Sequence, residues 1–386
     1  MYELAIIGGG VHGCTIANYL IKSGKTTIDE LLIIDPHKEP MRKWKKLTNR
    51  IGMEYLRSPS VHHIDVNAFS LQNFSKSFKH TDFYGHYKRP SLTLFNEHCD
   101  SIIKDIRLKD YWEQGRVIHV NKETGKWKIE TDKGKSVLSN NLVISISVNE
   151  QLHIPEWAKE LDIGIAGHVS HIFSEELTSL KNLQPPVVVV GGGITAAHTV
   201  IKLCNLFPRK VTLLSRHRLR VHELDSDPGW LGPKYMKFFS EITDYKIRRE
   251  QITHASHKGS IPKEIYQKLI RLEKQETLRI VYDEVELASQ HNSEILLNHK
   301  SGTRDLVKTI ILATGFESKL PEKSWLKQLI QNENLMCANC GYPIVSQRLE
   351  WCPHLYVSGP LAELEIGPVA RNISGARKAA ERIVTN

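Results

Sequence analysis

Two stretches of the chain are apolar at every position, and each runs straight into glycine. Residues 4–10 read Leu-Ala-Ile-Ile-Gly-Gly-Gly, and residues 187–193 read Val-Val-Val-Val-Gly-Gly-Gly. A continuous apolar run suits a strand buried on both faces, as in a parallel sheet covered by helices. A helix-like pattern follows each turn, and a second apolar strand follows each helix, at 31–34 and 211–214. Residues 115–148 differ: 115–120, 126–131 and 137–147 alternate around Thr124-Gly125 and Lys133-Gly134, which predicts an antiparallel meander. Pro185-Pro186 makes a stiff connector before the second opening. Residues 262–275 predict an amphipathic surface helix, with Pro262 in the first turn and Ile265, Leu269 and Leu272 on one face. Residues 355–358 read as a further buried strand, and Gly367-Pro368 as the start of a helix running to about Ile383. The expected fold class is α/β, with two three-layer Rossmann-type domains.

At 386 residues the chain has room for two or three domains, and its 40% hydrophobic and 25% charged content is that of a globular protein. The net charge of +9 favours anionic partners. No nucleic-acid motif is present, and nucleotide phosphates account for the surplus equally well. The six cysteines, Cys14, Cys99, Cys204, Cys337, Cys340 and Cys352, are too few for a disulfide framework in so long a chain. The start lacks a signal-peptide pattern, and the run at 187–190 is cut by glycine well short of a membrane span. These features predict a soluble cytoplasmic protein without an integral membrane segment.

The glycine turns carry the chemistry. In Gly8-x-Gly10-x-x-Gly13, Gly8 permits the tight turn, Gly10 lets the backbone approach a pyrophosphate, and Gly13 lets helix and strand pack closely. The helix start adds free N–H groups and partial positive charge for the phosphates. Asp35 ends the next strand, where an acid accepts hydrogen bonds from ribose hydroxyls. The second turn is Gly191-x-Gly193-x-x-Ala196, with Ile194 and Thr195 at its helix start. Its next strand ends Ser215-Arg216, without an acid. A carboxylate there would repel a 2′-phosphate, whereas arginine can pair with it. This site is therefore assigned to NADPH, with Arg216 at the 2′-phosphate and Ser215 assisting. Arg218 and Arg220 read equally as a solvated extension. The first site is assigned to FAD, so hydride would pass from one to the other.

Together with Ala313-Thr314-Gly315-Phe316, the two motifs resemble those of two-dinucleotide-fold flavoproteins, within them the flavin-dependent N-hydroxylating monooxygenases (the lysine/ornithine N-hydroxylase family). The resemblance implies a discontinuous FAD domain, 1–183 with 331–386, and an inserted NADPH domain, 184–330. It implies that Gly315 closes the NADPH domain. It also puts Trp44 and Met53 beside the isoalloxazine, and has the segment 359–371, with Gly359, Glu363, Glu365 and Gly367, close the FAD site. His12, inside the first motif, joins the cofactor-binding set. The implied reaction uses O2 and a flavin C4a-hydroperoxide to oxygenate a small amine or sulfur substrate, with no protein nucleophile. Two departures stand out: Ile144-Ser145-Ile146-Ser147 replaces the usual second Ala-x-Gly, and no counterpart of the substrate-contacting lysine is present.

Arg57, His62, His63 and Arg89 would fold over the flavin, with Arg57 or Arg89 able to hold a carboxylate, or else serve as ordinary surface and core-edge residues. The loop 225–233 either packs between the domains or makes a plain turn. Cys337-x-x-Cys340 opens a second function, an NADPH-dependent reductase of a disulfide, quinone or other small acceptor. With Cys352 and His354 it also offers four metal-ligand types, in a spacing that matches no zinc motif, and no metal is expected. A third reading is a nucleotide-binding regulator with reduced catalysis, for which Ser147 at a usual glycine position is the only support.

Overall fold

The computed structural model describes residues 1–77, 82–148, 150–161 and 168–385. Each apolar run is the centre of its own parallel sheet. In the first sheet, the strand Tyr2–Ile7 lies between Leu31–Asp35 and Ser136–Ile144, with Trp112–Gln114 and Leu355–Val357 outside them. Ile7 is paired with Ile34 on one side and Ile144 on the other, so three strands end level with the first glycine turn. The meander of Val117–Glu123 and Lys126–Thr131 folds antiparallel onto Ser136–Ile144, as the alternation predicts. One face of this sheet is covered by the helices Val11–Lys22, Leu92–Asp105 and Ile373–Val384. The other is covered by the meander and the helix Ser324–Asn332 around the fully buried Trp127. The Trp127 indole donates to the His354 carbonyl at 2.9 Å, which satisfies its one polar atom.

The second sheet runs Leu278–Tyr282, Val211–Ser215, Val187–Val190, Thr309–Leu312, Val169–His171, all parallel. Here Val190 is level with Leu214 and Leu312, which repeats the geometry of the first sheet. The helices Ile194–Leu206 and Lys263–Lys274 cover one face, the latter burying Ile265 and Leu269 as its pattern requires. An antiparallel sheet of Val285–His291, Glu294–His299 and Arg304–Val307 covers the other. The strand Val169–His171 precedes the expected boundary at 184 yet pairs with Thr309–Leu312, so the chain enters the second sheet before its glycine turn.

The C-terminal helix departs from expectation. Gly367, at φ 85°, ends the short helix Glu363–Ile366, and the long helix starts only at Ile373, with Asn372 as its N-cap. The intervening residues fold over the helix start, where a Cβ on Gly375 would lie 2.2 Å from the Val369 carbonyl oxygen. The positive end of this helix therefore belongs to Ile373 and not to Pro368.

Burial holds the rings of His12, His62, His63, His98, His171 and His198 down to about 4. Between pH 6.5 and 4 the unfolded chain binds these protons and the folded chain does not, so their stability is full above 6.5 and lost as pH falls. Each histidine contributes a slope of about 1 kcal/mol per pH unit. Urea midpoints should fall steeply from pH 7 to pH 5; a flat profile would mean that these rings are protonated inside the fold.

Candidate functional site

The first glycine turn is formed by backbone approaching backbone. A Cβ on Gly13 would lie 1.9 Å from the Gly8 carbonyl oxygen, and one on Gly8 would lie 2.7 Å from the Ser145 carbonyl oxygen. Gly10 faces open space, where a ligand's phosphates have room. The helix Val11–Lys22 starts at Gly10 with no side-chain cap, which leaves its first N–H groups turned to that space. Asp35 is fixed beside the turn, its carboxylate accepting from the Gly9 N–H at 2.7 Å and the His37 N–H at 2.8 Å. The second turn repeats this. A Cβ on Gly191 would lie 2.5 Å from the Ala313 carbonyl oxygen, and the uncapped helix Ile194–Leu206 begins at Gly193. That same Cβ would also lie 3.3 Å from the methyl of the fully buried Ala196. Both cradles fit a dinucleotide.

Around the first cradle, His12 bonds the Ser358 hydroxyl through Nδ1 at 2.8 Å, while its Nε2 is buried without a partner. A Cβ on Gly359 would touch this ring at 3.7 Å, so the segment from 358 onward abuts the turn. Glu363 and Glu365 in that segment are held by arginine. Glu363 accepts from Arg249 at 3.0 Å and Arg371 at 2.8 Å, and Glu365 from Arg248 at 2.8 Å and Arg382 at 2.9 Å. Trp44 packs on Phe95 and donates to Asn96 at 3.1 Å. Met53 touches the cores of both units, and Gly52 beside it faces the Lys202 stem.

At the second cradle Arg216 is exposed at the strand end. Ser215 is turned inward: its hydroxyl donates to the His217 carbonyl at 2.7 Å and so shapes the turn. The His217 ring is wedged against the turn, where a Cβ on Gly192 would meet it at 2.9 Å. Gly315, at φ 84°, follows the strand end that abuts Gly191.

Of the two readings of Arg57, a carboxylate holder or an ordinary core-edge residue, its partners support the second. Arg57 is buried, and its guanidinium donates to the carbonyls of His222, Glu223, Leu224 and Ser260, the Ser260 hydroxyl and Asp225. It fastens the first unit to the loop 222–225, which settles that part of the 225–233 segment as an interdomain contact. Arg89 is likewise engaged, with Glu264 and over the Tyr84 ring. His63 bonds the Ala68 carbonyl at 3.1 Å and accepts from the Asp65 N–H at 3.2 Å, while burial lowers both His62 and His63. Cys352 and His354 do not join Cys337 and Cys340. His354 bonds Asn141 at 3.0 Å, and among the described residues no group of three or more ligand types is gathered.

Sequence reasoning missed several residues here. Ser145 stands where a glycine motif was sought, and its hydroxyl donates to the carbonyls of Ile7 at 3.0 Å and Gly8 at 2.8 Å, tying the strand end to the turn. A cleft of about 240 Å³ lies between the units, lined by Glu54, Tyr55, Arg89, His198, Glu264 and Lys268 among others. The His198 Nε2 is buried without a partner beside it. No motif marks these residues, which come together only when the two units meet.

The family model described as L-lysine 6-monooxygenase/L-ornithine 5-monooxygenase matches residues 67–318, more than half of the chain. No curated protein sequence matches significantly. Among solved structures, ornithine hydroxylase from Pseudomonas aeruginosa superimposes with a TM-score of 0.77 at 16% identity, covering 99% of this chain and 98% of that one. The FAD-bound cadaverine monooxygenase of the desferrioxamine pathway from Erwinia amylovora gives 0.77 at 13% identity, covering 99% and 93%. The bacillithiol disulfide reductase from Bacillus cereus is less similar, with a TM-score of 0.61 at 15% identity, covering 99% and 97%. These likenesses show a shared fold.

Two substitutions separate the arginines. Arg216→Ala should raise the KM for NADPH by about tenfold or more and leave that for NADH nearly unchanged. An equal loss for both coenzymes would remove Arg216 from the 2′-phosphate. Arg57→Met should lower stability by about 1–3 kcal/mol, read from urea unfolding, because it leaves the carbonyls that the buried guanidinium satisfies unpaired.

Proposed function

The chain belongs to the L-lysine 6-monooxygenase/L-ornithine 5-monooxygenase family, whose members are FAD- and NADPH-dependent flavin monooxygenases, and we propose that its substrate is a small primary amine hydroxylated on nitrogen. The observation that carries the amine is the family-model match over residues 67–318, and the pair of uncapped glycine turns, one followed by Asp35 and the other by Arg216, supports the two cofactors. In this reading, Gly8, Gly10, His12, Gly13 and Asp35 hold FAD, with Trp44, Met53, Gly359 and Gly367 around the ring. Gly191, Gly193, Ile194, Thr195, Ala196, Arg216 and Gly315 hold NADPH, and Ser215 shapes that turn. The units are 1–183 with 331–386, and 184–330, with the strand Val169–His171 lent to the second.

When bound, reduced FAD supplies the activation of O2, which no side chain offers, and NADPH is the reductant. The protein's part is to hold, orient and keep dry. The two helix starts take the phosphates, which sets both dinucleotides from rigid elements. The many contacts between the units, Arg57 foremost, hold the second cradle at a set distance from the first. An amine arrives as an ammonium ion and must lose a proton before its lone pair can take oxygen. The cleft between the units offers the carboxylates of Glu54 and Glu264 to an ammonium group, each already balanced by Lys268 or Arg89. His198 is neutral there at working pH, its ring held to about 4 by burial.

The test is to reduce the holoprotein with NADPH without oxygen, then add O2 with lysine, ornithine or cadaverine. The expected result is NADPH oxidation stimulated by one amine, with a hydroxylamine one oxygen atom heavier by mass spectrometry. Turnover with disulfides or quinones and no N-oxygenated product would replace this reading with a reductase. Glu54→Gln should raise the amine KM by about tenfold and leave the NADPH KM alone, since a carboxylate bonds an ammonium more strongly than an amide does. Equal effects on both would take Glu54 out of amine binding.

A further inference from the structure

The proposed monooxygenase reaction makes no use of Cys337 and Cys340, which the fold places on a tight hairpin. The Ile344 N–H donates to the Met336 carbonyl at 3.0 Å, Ala338 N–H to Tyr342 at 2.9 Å, and Gly341 N–H to Ala338 at 2.7 Å, with Cys337 paired to Pro343. Residues 338–341 thus make the turn, and Gly341 at φ 82° takes the left-handed bulge position. This reversal sets Cys337 at the base of the hairpin opposite Pro343 and Cys340 in its turn, and the Cys337 thiol is pushed up by burial and by the charge of the Cys340 sulfur. Both thiols are free, with Cys340 exposed and Cys337 half-buried.

Positive charge lies alongside. The Arg249 guanidinium bonds Glu363 at 3.0 Å, stacks over the Tyr342 ring at 4.1 Å and lies beside the Cys340 sulfur. Its Nε and Nη2 are buried without a hydrogen-bond partner. A guanidinium with N–H groups to spare stabilises an anionic sulfur as it forms. No third ligand completes a metal site among the described residues.

We propose that Cys337 and Cys340 form a peroxide-sensitive dithiol, in which Cys340 attacks, Cys337 resolves, and the product is a disulfide across the hairpin. The oxidant is hydrogen peroxide. The Cys340 thiolate attacks one peroxide oxygen, the O–O bond breaks, and a sulfenic acid forms as hydroxide leaves and is protonated to water. The Cys337 sulfur then attacks the sulfenic sulfur, the S–O bond breaks, the S–S bond forms and a second water leaves. Two thiols are oxidised by two electrons and one peroxide is reduced to two waters. The change is transmitted: Arg249 shares Glu363 with Arg371, and Arg371 donates to the Tyr342 hydroxyl at 3.0 Å, so the hairpin is joined to the segment 359–371.

The test uses the reduced holoprotein and equimolar hydrogen peroxide, read by intact mass and peptide mapping, so its outcome does not depend on any amine substrate. The expected product is lighter by two hydrogen atoms, carries a link between Cys337 and Cys340, and is reversed by dithiothreitol. In Cys337→Ser the Cys340 sulfenic acid should be trapped by dimedone, and in Cys340→Ser oxidation at Cys337 should slow by about tenfold or more. Wild-type protein that goes to a sulfinic acid at Cys340 with no link would overturn the proposal, as would an unchanged rate in Cys340→Ser. The wild-type measurement stands by itself if a serine variant fails to fold.

Discussion

Both nucleotide cradles depend on main chain lying against main chain at distances that no side chain permits. Gly13 sits so close to the Gly8 carbonyl, and Gly191 so close to the Ala313 carbonyl, that a single added carbon would push the helix from the first turn and the neighbouring strand end from the second. That approach is what brings an uncapped helix start to the end of a buried strand, and with it the N–H groups that can meet phosphate. The level pairing of Ile7 with Ile34 and Ile144, and of Val190 with Leu214 and Leu312, places neighbouring strand ends around each turn. Asp35, Arg216 and Ser145 reach their places through that register.

The relation between the cradles is held by polar contacts in a partly buried seam. Arg57 reaches from the first unit into the loop 222–225. Lys202 on the second fingerprint helix donates to the carbonyls of Asn49 at 2.8 Å and Arg50 at 3.1 Å, and Arg50 donates to those of Ile172 at 3.0 Å and Ser174 at 2.7 Å. Buried arginine donating to carbonyls satisfies many acceptors from one side chain, and it fixes orientation as apolar contact alone does not. The helix Tyr245–Ala255, counted by position with the NADPH unit, supplies Arg248 and Arg249 to Glu365 and Glu363 near the C-terminus. The two units are therefore interlocked at both ends of the seam.

Much of the fold was legible because it rests on local rules. The apolar runs, the glycine spacing, the alternation of the meander and the proline-led helix at 263–274 each express a periodicity or a steric demand within a short window. The helix after Gly367 was misplaced for a physical reason. Proline suits a first helical turn, but Gly367 at φ 85° turns the chain away, and the helix begins only at Ile373. The two readings of Arg57 could not be told apart locally, because its partners lie more than a hundred and sixty residues away in sequence.

Sequence alone determined the α/β class, the presence of two dinucleotide cradles and the distinction between Asp35 and Arg216, since each follows from residue type at a set spacing. Tertiary structure decided which charges are spent and which are available. A guanidinium that meets six acceptors is a fastener, and one with N–H groups left over beside a thiol is a reagent's neighbour. The cleft of Glu54, His198 and Glu264 likewise exists only because the two units dock, bringing together residues that no local pattern connects. Burial and partner count depend on the whole fold, and those two quantities separate a structural side chain from one able to act.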